Sequence, residues 1–145
     1  MESGMTDREL HILLVEDDDG DAKTMERAFK RAKIVNPLRR AIDGVHALEI
    51  LRGENGHEKL ARPFLLLVDL NMPRMNGIQL IEELRKDPNF RRTIIFVLTT
   101  SKREEDKIAA YDLNIAGYIL KQTADEDILN LIHLIGCYWR IVEMP

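Results

Sequence analysis

The chain has a single cysteine, Cys137, in 145 residues. No internal disulfide framework can form, which suits a reducing compartment. No His or Asn motif accompanies Cys137, so a packing role is expected for it. Positive charge is not in excess: the formal net charge is −4. Arg and Lys are scattered, without a basic stripe or interleaved aromatics, which argues against nonspecific nucleic-acid or anionic-membrane binding. The longest apolar runs are far too short to span a bilayer. Residues 1–9 are polar and acidic rather than basic and then apolar, so no signal peptide is expected. No internal repeat or low-complexity stretch is present. The expectation is a cytoplasmic protein with no nucleic-acid or membrane partner.

What is there suits one domain. The length fits a single unit, and a hydrophobic fraction of 45% allows a core without staples. Residues 1–9 read as a disordered lead-in. After it, short apolar runs alternate with amphipathic segments. The runs are 12–15, a weaker one near 38–42, then 64–68, 93–98 and 117–120. Helical patterns lie near 20–33, 45–52, 77–86, 102–113 and 125–142. This alternation predicts a five-stranded parallel sheet with helices on both faces. Asn36-Pro37 is expected to end the first helix and Asp87-Pro88 the third. Pro37 and Arg39-Arg40 suit an edge position for the second strand. Residues 53–63 form a longer charged loop.

The strand ends carry the chemistry. Strand one ends at Glu16-Asp17, strand three at Asp69, strand four at Thr99 and strand five at Lys121. In a parallel sheet these ends share one edge, and that edge is the usual ligand crevice. Glu16, Asp17 and Asp69 would bring carboxylates together, and like charges that close repel unless protonated or bridged. A hard divalent cation bridges them. Magnesium takes about six oxygens and keeps several waters, so few protein ligands suffice; manganese is the alternative. Asp17 and Asp69 would bind it directly, Glu16 directly or through water, and Asn71 could give its backbone carbonyl. Lys121 would hold Asp69 and neutralise a phosphoryl oxygen, and Thr99 would donate a hydroxyl. Asp69 is then read as a nucleophile that accepts a phosphoryl group, a transfer that needs mainly positioning and charge neutralisation.

Blander readings compete. Glu16-Asp17-Asp18-Asp19 could be a solvated turn and helix N-cap, where acids are favoured; for Asp18 and Asp19 this reading is preferred. Asp17, Asp19 and Asp21 mimic the start of a calcium loop, but Gly20 comes two positions early and the closing position is Ala28 rather than Glu. Lys121 alone could be a surface lysine. One of Thr99 and Thr100 could be purely structural. His11, His46, His57 and His133 show no ligand spacing.

Taken together, Val15-Glu16-Asp17-Asp18, Val68-Asp69-Leu70-Asn71-Met72-Pro73, Leu98-Thr99-Thr100-Ser101 and Tyr118-Ile119-Leu120-Lys121 resemble the receiver domain of two-component response regulators. The resemblance spans about residues 10 to 140. It implies a flavodoxin-like three-layer α/β/α fold of strand order 2-1-3-4-5, with residues 10–142 as one receiver with an extended last helix and 143–145 as a tail. It also implies phosphotransfer from a kinase phosphohistidine to Asp69. A metal would sit at Glu16, Asp17, Asp69 and the Asn71 carbonyl, with Thr99 and Tyr118 as a switch pair. A narrower likeness, to the regulators of bacterial and cyanobacterial phytochromes, rests on Arg62-Pro63, the run 99–106, Tyr111-Asp112-Leu113 and Tyr138-Trp139 with Pro145. Gln122 stands where a proline usually follows the lysine; the phytochrome-type members also lack that proline.

The last helical pattern carries Ile128, Leu131, Ile132, Ile135, Trp139 and Val142 at spacings of three and four. Tyr138, Trp139 and Ile141 come late enough to project beyond the core, and exposed aromatics favour an interface. The alternative is that they close the domain's own base. A homodimer through the helix four, strand five and last-helix face is expected. Three functions remain open: a phosphoacceptor switch with self-phosphorylation and slow autodephosphorylation only, a magnesium-dependent aspartyl-phosphate phosphatase of the haloacid-dehalogenase type, and a binding module that is never phosphorylated. The phosphatase needs a second acid two residues after its nucleophile. Asn71 at that position favours the switch.

Overall fold

A computed structural model of the chain describes residues 9–34, 36–121, 130, 133, 134, 144 and 145. The elements follow in the order β1 (His11–Val15), α1 (Asp19–Arg31), β2 (Leu38–Ala41), α2 (Gly44–Arg52), β3 (Phe64–Val68), α3 (Gly77–Lys86), β4 (Ile94–Thr99), α4 (Glu104–Asp112) and β5 (Gly117–Leu120). The five strands form one parallel sheet in the order β2-β1-β3-β4-β5, which is the expected flavodoxin-like order. Most of the last helical pattern, with Tyr138, Trp139, Ile141 and the Lys121-Gln122 bond, lies outside the described residues.

The central strands are apolar except for His11 at the start of β1 and Thr99 at the end of β4, as a sheet covered on both faces requires. Side chains alternate between faces. Leu13, Val15, Leu66, Val68, Ile95 and Val97 join one core with residues of α2 and α3 and with Ala110 of α4. Ile12, Leu14, Leu65, Leu67, Phe96 and Leu98 join a second core with Ala22, Met25, Ala28 and Phe29 of α1. The chain thus turns one way from β1 to β2 and the other way from β2 onward. With right-handed crossovers that reversal puts α1 on one face and α2, α3 and α4 on the other. It also opens a crevice between the carboxyl ends of β1 and β3.

Local chemistry sets the helix ends. Asp18 caps α1 by accepting from the Asp21 amide at 2.8 Å, so the helix begins at Asp19. The preferred capping role for Asp18 is therefore observed. Asn76 and Gln79 form a reciprocal capping box at α3, which satisfies two amides that the first turn leaves without helical partners. Asp87-Pro88 closes α3 as expected. Asn36-Pro37 does not close α1. The helix stops at Arg31, where Lys33 takes a left-handed φ of 57° and the Ile34 amide turns back to the Phe29 carbonyl. The turn is complete before the proline can act. The second strand is an edge strand, as its Arg pair suggested.

A half-buried arginine ties the far side together. The Arg85 guanidinium donates to the carbonyls of Leu113, Arg91, Thr93 and Asn114, fixing the segments that lead into β4 and β5 to α3. Helix α4 is attached differently. Its described side chains bury only Ala110, while Ile108 and Tyr111 are exposed.

One glycine decides where the β3–α3 loop lies. A Cβ on Gly77 would come within 2.4 Å of the Asp69 carbonyl oxygen and 2.8 Å of Leu70 Cα. The Gly77 amide bonds the Leu70 carbonyl at 3.0 Å, so the helix start sits directly on the backbone after β3. Gly77→Ala is expected to lower the unfolding free energy by about 1–3 kcal/mol, the usual penalty for overpacking. Thermal unfolding beside wild type checks this.

Candidate functional site at the carboxyl edge of the sheet

Strand register assembles the site. Val15 pairs with Val68, so the next residues, Glu16 and Asp69, emerge side by side. The Asp69 amide bonds the Val15 carbonyl at 3.0 Å and the Glu16 amide bonds the Ala41 carbonyl at 2.9 Å. Leu120 pairs with Thr99, so Lys121 leaves the same edge. Glu16, Asp69 and Thr99 are buried, whereas Asp17 is exposed.

Lys121 reaches back across the sheet ends. Its Nζ lies 2.5 Å from Glu16 Oε1, 2.8 Å from Asp21 Oδ2 and 3.3 Å from Asp69 Oδ2. Burial pulls the ammonium pKa down, but hydrogen bonds to Asp21 and Glu16 and the charges of Asp69 and Glu16 outweigh it, so the group is held firmly protonated. Glu16 behaves oppositely. Burial, with the Asp69 charge adding to it, pushes its carboxyl from 4.5 up to about 7 against the pull of Lys121. One ammonium does not satisfy this many carboxylates.

The donor set fits a divalent cation. Glu16, Asp17 and Asp69 each offer an oxygen, and these lie within 4.8 Å of one another. Clustered carboxylate oxygens with one member exposed to water match a hard cation that retains part of its hydration shell. Asn71 lies two residues past Asp69 on the exposed β3–α3 loop, on the same edge.

Thr99 and Tyr118 are brought to one strand pair but not to each other by any bond among the described residues. Thr99 Oγ1 accepts from the Ser101 amide at 3.2 Å. The Tyr118 hydroxyl donates to the Ser101 carbonyl at 2.8 Å, and burial raises its pKa. Both side chains therefore hold the β4–α4 loop through Ser101.

Residues that pattern reasoning did not single out complete the frame. Asp21, weighed only as part of a failed calcium loop, is a direct partner of Lys121. Its signal was its place one helical turn after Asp17, on the first turn of α1. Arg40 donates from Nε to the Glu16 carbonyl at 2.9 Å and from Nη1 to Asp19 at 2.8 Å, clamping the acidic loop from β2. Buried Asp43 takes two bonds from Arg74, at 2.7 and 3.1 Å, and caps α2 through the His46 amide. Burial raises the Asp43 carboxyl pKa, but these donors bring it below the ordinary carboxylate value. Arg74 stands at a φ of 62° in the loop after Asp69, so this pair ties that loop to the β2–α2 corner. The His46 and His57 rings lie tilted at 51° to each other with centroids 4.8 Å apart and take no part in the acidic cluster.

Comparison with known proteins agrees with this geometry. The model of the response regulator receiver domain matches residues 12–133. The chain belongs to this family. Response regulator Rcp1 of Synechocystis sp. is 34% identical over 135 residues, covering 92% of both chains. A crystal structure of the Mn2+-bound form of Rcp1 superposes with a TM-score of 0.79 at 32% identity, covering 95% of this chain and 99% of that one. The phosphorylated cyanobacterial phytochrome response regulator RcpA gives a TM-score of 0.82 at 29% identity, over 95% and 99% of the two chains.

The raised Glu16 pKa has a measurable sign. The folded carboxyl binds its proton more tightly than the unfolded one. Its contribution to stability is greatest below pH 4.5 and declines as pH rises to about 7. In metal-free protein, the stability of wild type relative to Glu16→Gln is therefore expected to fall across that window. Saturating Mg2+ should flatten the decline for wild type. Paired thermal melts from pH 4.5 to 8 test both.

Proposed function

We propose that this receiver is a phosphoacceptor switch in which Asp69 takes a phosphoryl group from the phosphohistidine of a sensor kinase. The observation that carries the reading is the placement of Asp69, at the end of β3 with Lys121 Nζ 3.3 Å away and within the three-carboxylate cluster. The carboxylate oxygen attacks phosphorus, the bond to the kinase imidazole breaks, and the imidazole leaves with the electron pair. Lys121 neutralises phosphoryl charge and Thr99 donates its hydroxyl. Glu16, Asp17, Asp69 and the Asn71 carbonyl would hold Mg2+, which shields the carboxylate and phosphoryl charges when bound; the Mn2+-bound Rcp1 structure supports a divalent ion of this kind.

Signalling passes through Thr99 and Tyr118. Drawing the Thr99 hydroxyl toward a phosphoryl oxygen removes the acceptor of the Ser101 amide, and the loop that Tyr118 holds is then free to rearrange. This is a local charge event biasing two arrangements of one surface. The likeness to Rcp1 and RcpA supports a phytochrome-type kinase as the partner. A receiver meets such a kinase in the cytoplasm, and among the described residues no helix is long and apolar enough to cross a membrane. We further propose a homodimer through α4, β5 and the last helix, supported by exposed Ile108 and Tyr111 on α4. Tyr138, Trp139 and Ile141 would extend that face.

Incubation with Mg2+ and acetyl phosphate, followed by intact-mass measurement, is expected to show a labile phosphoryl adduct that Asp69→Asn abolishes. Lys121→Ala should slow its formation by roughly 10²-fold or more, the usual effect of removing a charge-stabilising donor. Rapid turnover of many phosphoesters would instead indicate the phosphatase. No adduct from acetyl phosphate or a cognate kinase would indicate the binding module. Light scattering over a concentration series should show dimer; monomer alone, with and without phosphorylation, would refute the dimer.

A further inference from the structure

The edge of the sheet opposite the carboxylates is basic. A cavity of about 380 Å³ there is lined by Arg52, Lys59, Arg62, Asp87, Asn89 and Phe90. Three of these side chains are cations and one is an acid. Asp87 is already committed: Oδ2 meets Arg52 Nη2 at 3.3 Å and Oδ1 accepts the Asn89 amide at 2.9 Å. The lining therefore keeps a surplus of two positive charges in a chain whose net charge is −4.

The two guanidinium groups are held in place before any ligand arrives. The Arg62 guanidinium lies 5.0 Å from the Phe64 ring centroid and 5.6 Å from that of Phe90. Its Nη2 donates to the Asn89 carbonyl at 2.6 Å, which leaves its other donors for a ligand. The backbone of Lys59 is packed on Gly53, and its side chain is exposed. Gly53 ends α2 at a φ of 69°, and a Cβ there would come within 2.9 Å of Lys59 Cβ. Next to it, the Leu60 amide bonds the Ile50 carbonyl at 3.1 Å. Stacked, hydrogen-bonded guanidinium groups lose little freedom on binding, and their fork geometry matches the oxygens of a phosphoryl group.

We propose that this cavity binds a dianionic phosphoryl group, free or carried on a small molecule. Its volume lies within the small-ligand range of roughly 300–1,000 Å³, and two surplus positive charges match a phosphate dianion. The site is separate from Asp69 and independent of the phosphoacceptor reading.

Metal-free protein is titrated with inorganic phosphate, and separately with ribose 5-phosphate, at constant ionic strength set by chloride. The readout is NMR of the Arg52 and Arg62 side-chain Nε–H groups and the Asn89 side-chain amide. Saturable shifts at these nuclei with either probe are expected, the tighter probe identifying free ion or ester. Lys59→Glu should weaken binding by at least about tenfold, because it removes one charge-assisted bond and adds a repelling carboxylate, and Arg52→Gln should also weaken it. Lys59 is exposed, so its variant should keep the wild-type spectrum elsewhere. Shifts that do not saturate, that chloride alone reproduces, or that keep the same midpoint in Lys59→Glu would overturn the proposal.

Discussion

Lys121 brings one positive charge to a place where Glu16, Asp21 and Asp69 all converge on its ammonium, with Asp17 close by. Folding therefore leaves negative charge uncancelled inside a partly buried crevice. Much of the site follows from that imbalance. The Glu16 carboxyl holds its proton to an unusually high pH, the lysine is held protonated, and a divalent ion at this cluster would relieve repulsion that the protein cannot remove alone. Asp69 sits at the centre of this field, so whatever changes its charge is felt by every neighbour.

A field of this kind is useful only if the loops that carry it stay put. The edge strand β2 secures them. Arg40 pins the acidic loop by a main-chain carbonyl and by Asp19. Just after β2, Asp43 grips Arg74 and so anchors the loop beyond Asp69. Gly77 lets α3 press against the backbone of Asp69 and Leu70. These fixings lie outside the acidic cluster itself, and they hold both its loops from the scaffold side.

The central architecture was legible because its signals are local. An unbroken apolar run as short as 64–68, bounded by turn residues, fits a strand covered on both faces better than a helix, and a polar residue closing such a run marks the sheet edge. Capping at Asp18 was legible for the same reason: it acts on an amide three residues away. The end of α1 was misread because Pro37 is a conspicuous breaker, while the left-handed turn at Lys33 carries no glycine to announce it. Asp21 and the Arg40 and Arg74 anchors escaped because their partners lie 100, 24 and 31 residues away. No periodicity encodes such pairings; they exist only once the strand order is set.

The helices are unequally bound to the core. Helix α1 buries Ala22, Met25, Ala28 and Phe29, whereas α4 buries Ala110 alone and its N-cap, Arg103, makes no side-chain capping bond. Sliding or tilting α1 would tear several side chains from their pocket. Among the described residues, moving α4 would disturb the Ala110 methyl group and the Ser101–Asp106 contact, and with them the loop that Tyr118 holds. A small input at the sheet edge therefore has an uneven mechanical outlet. The fold is stiff on the α1 face and compliant at α4, so displacement travels to the element that resists least.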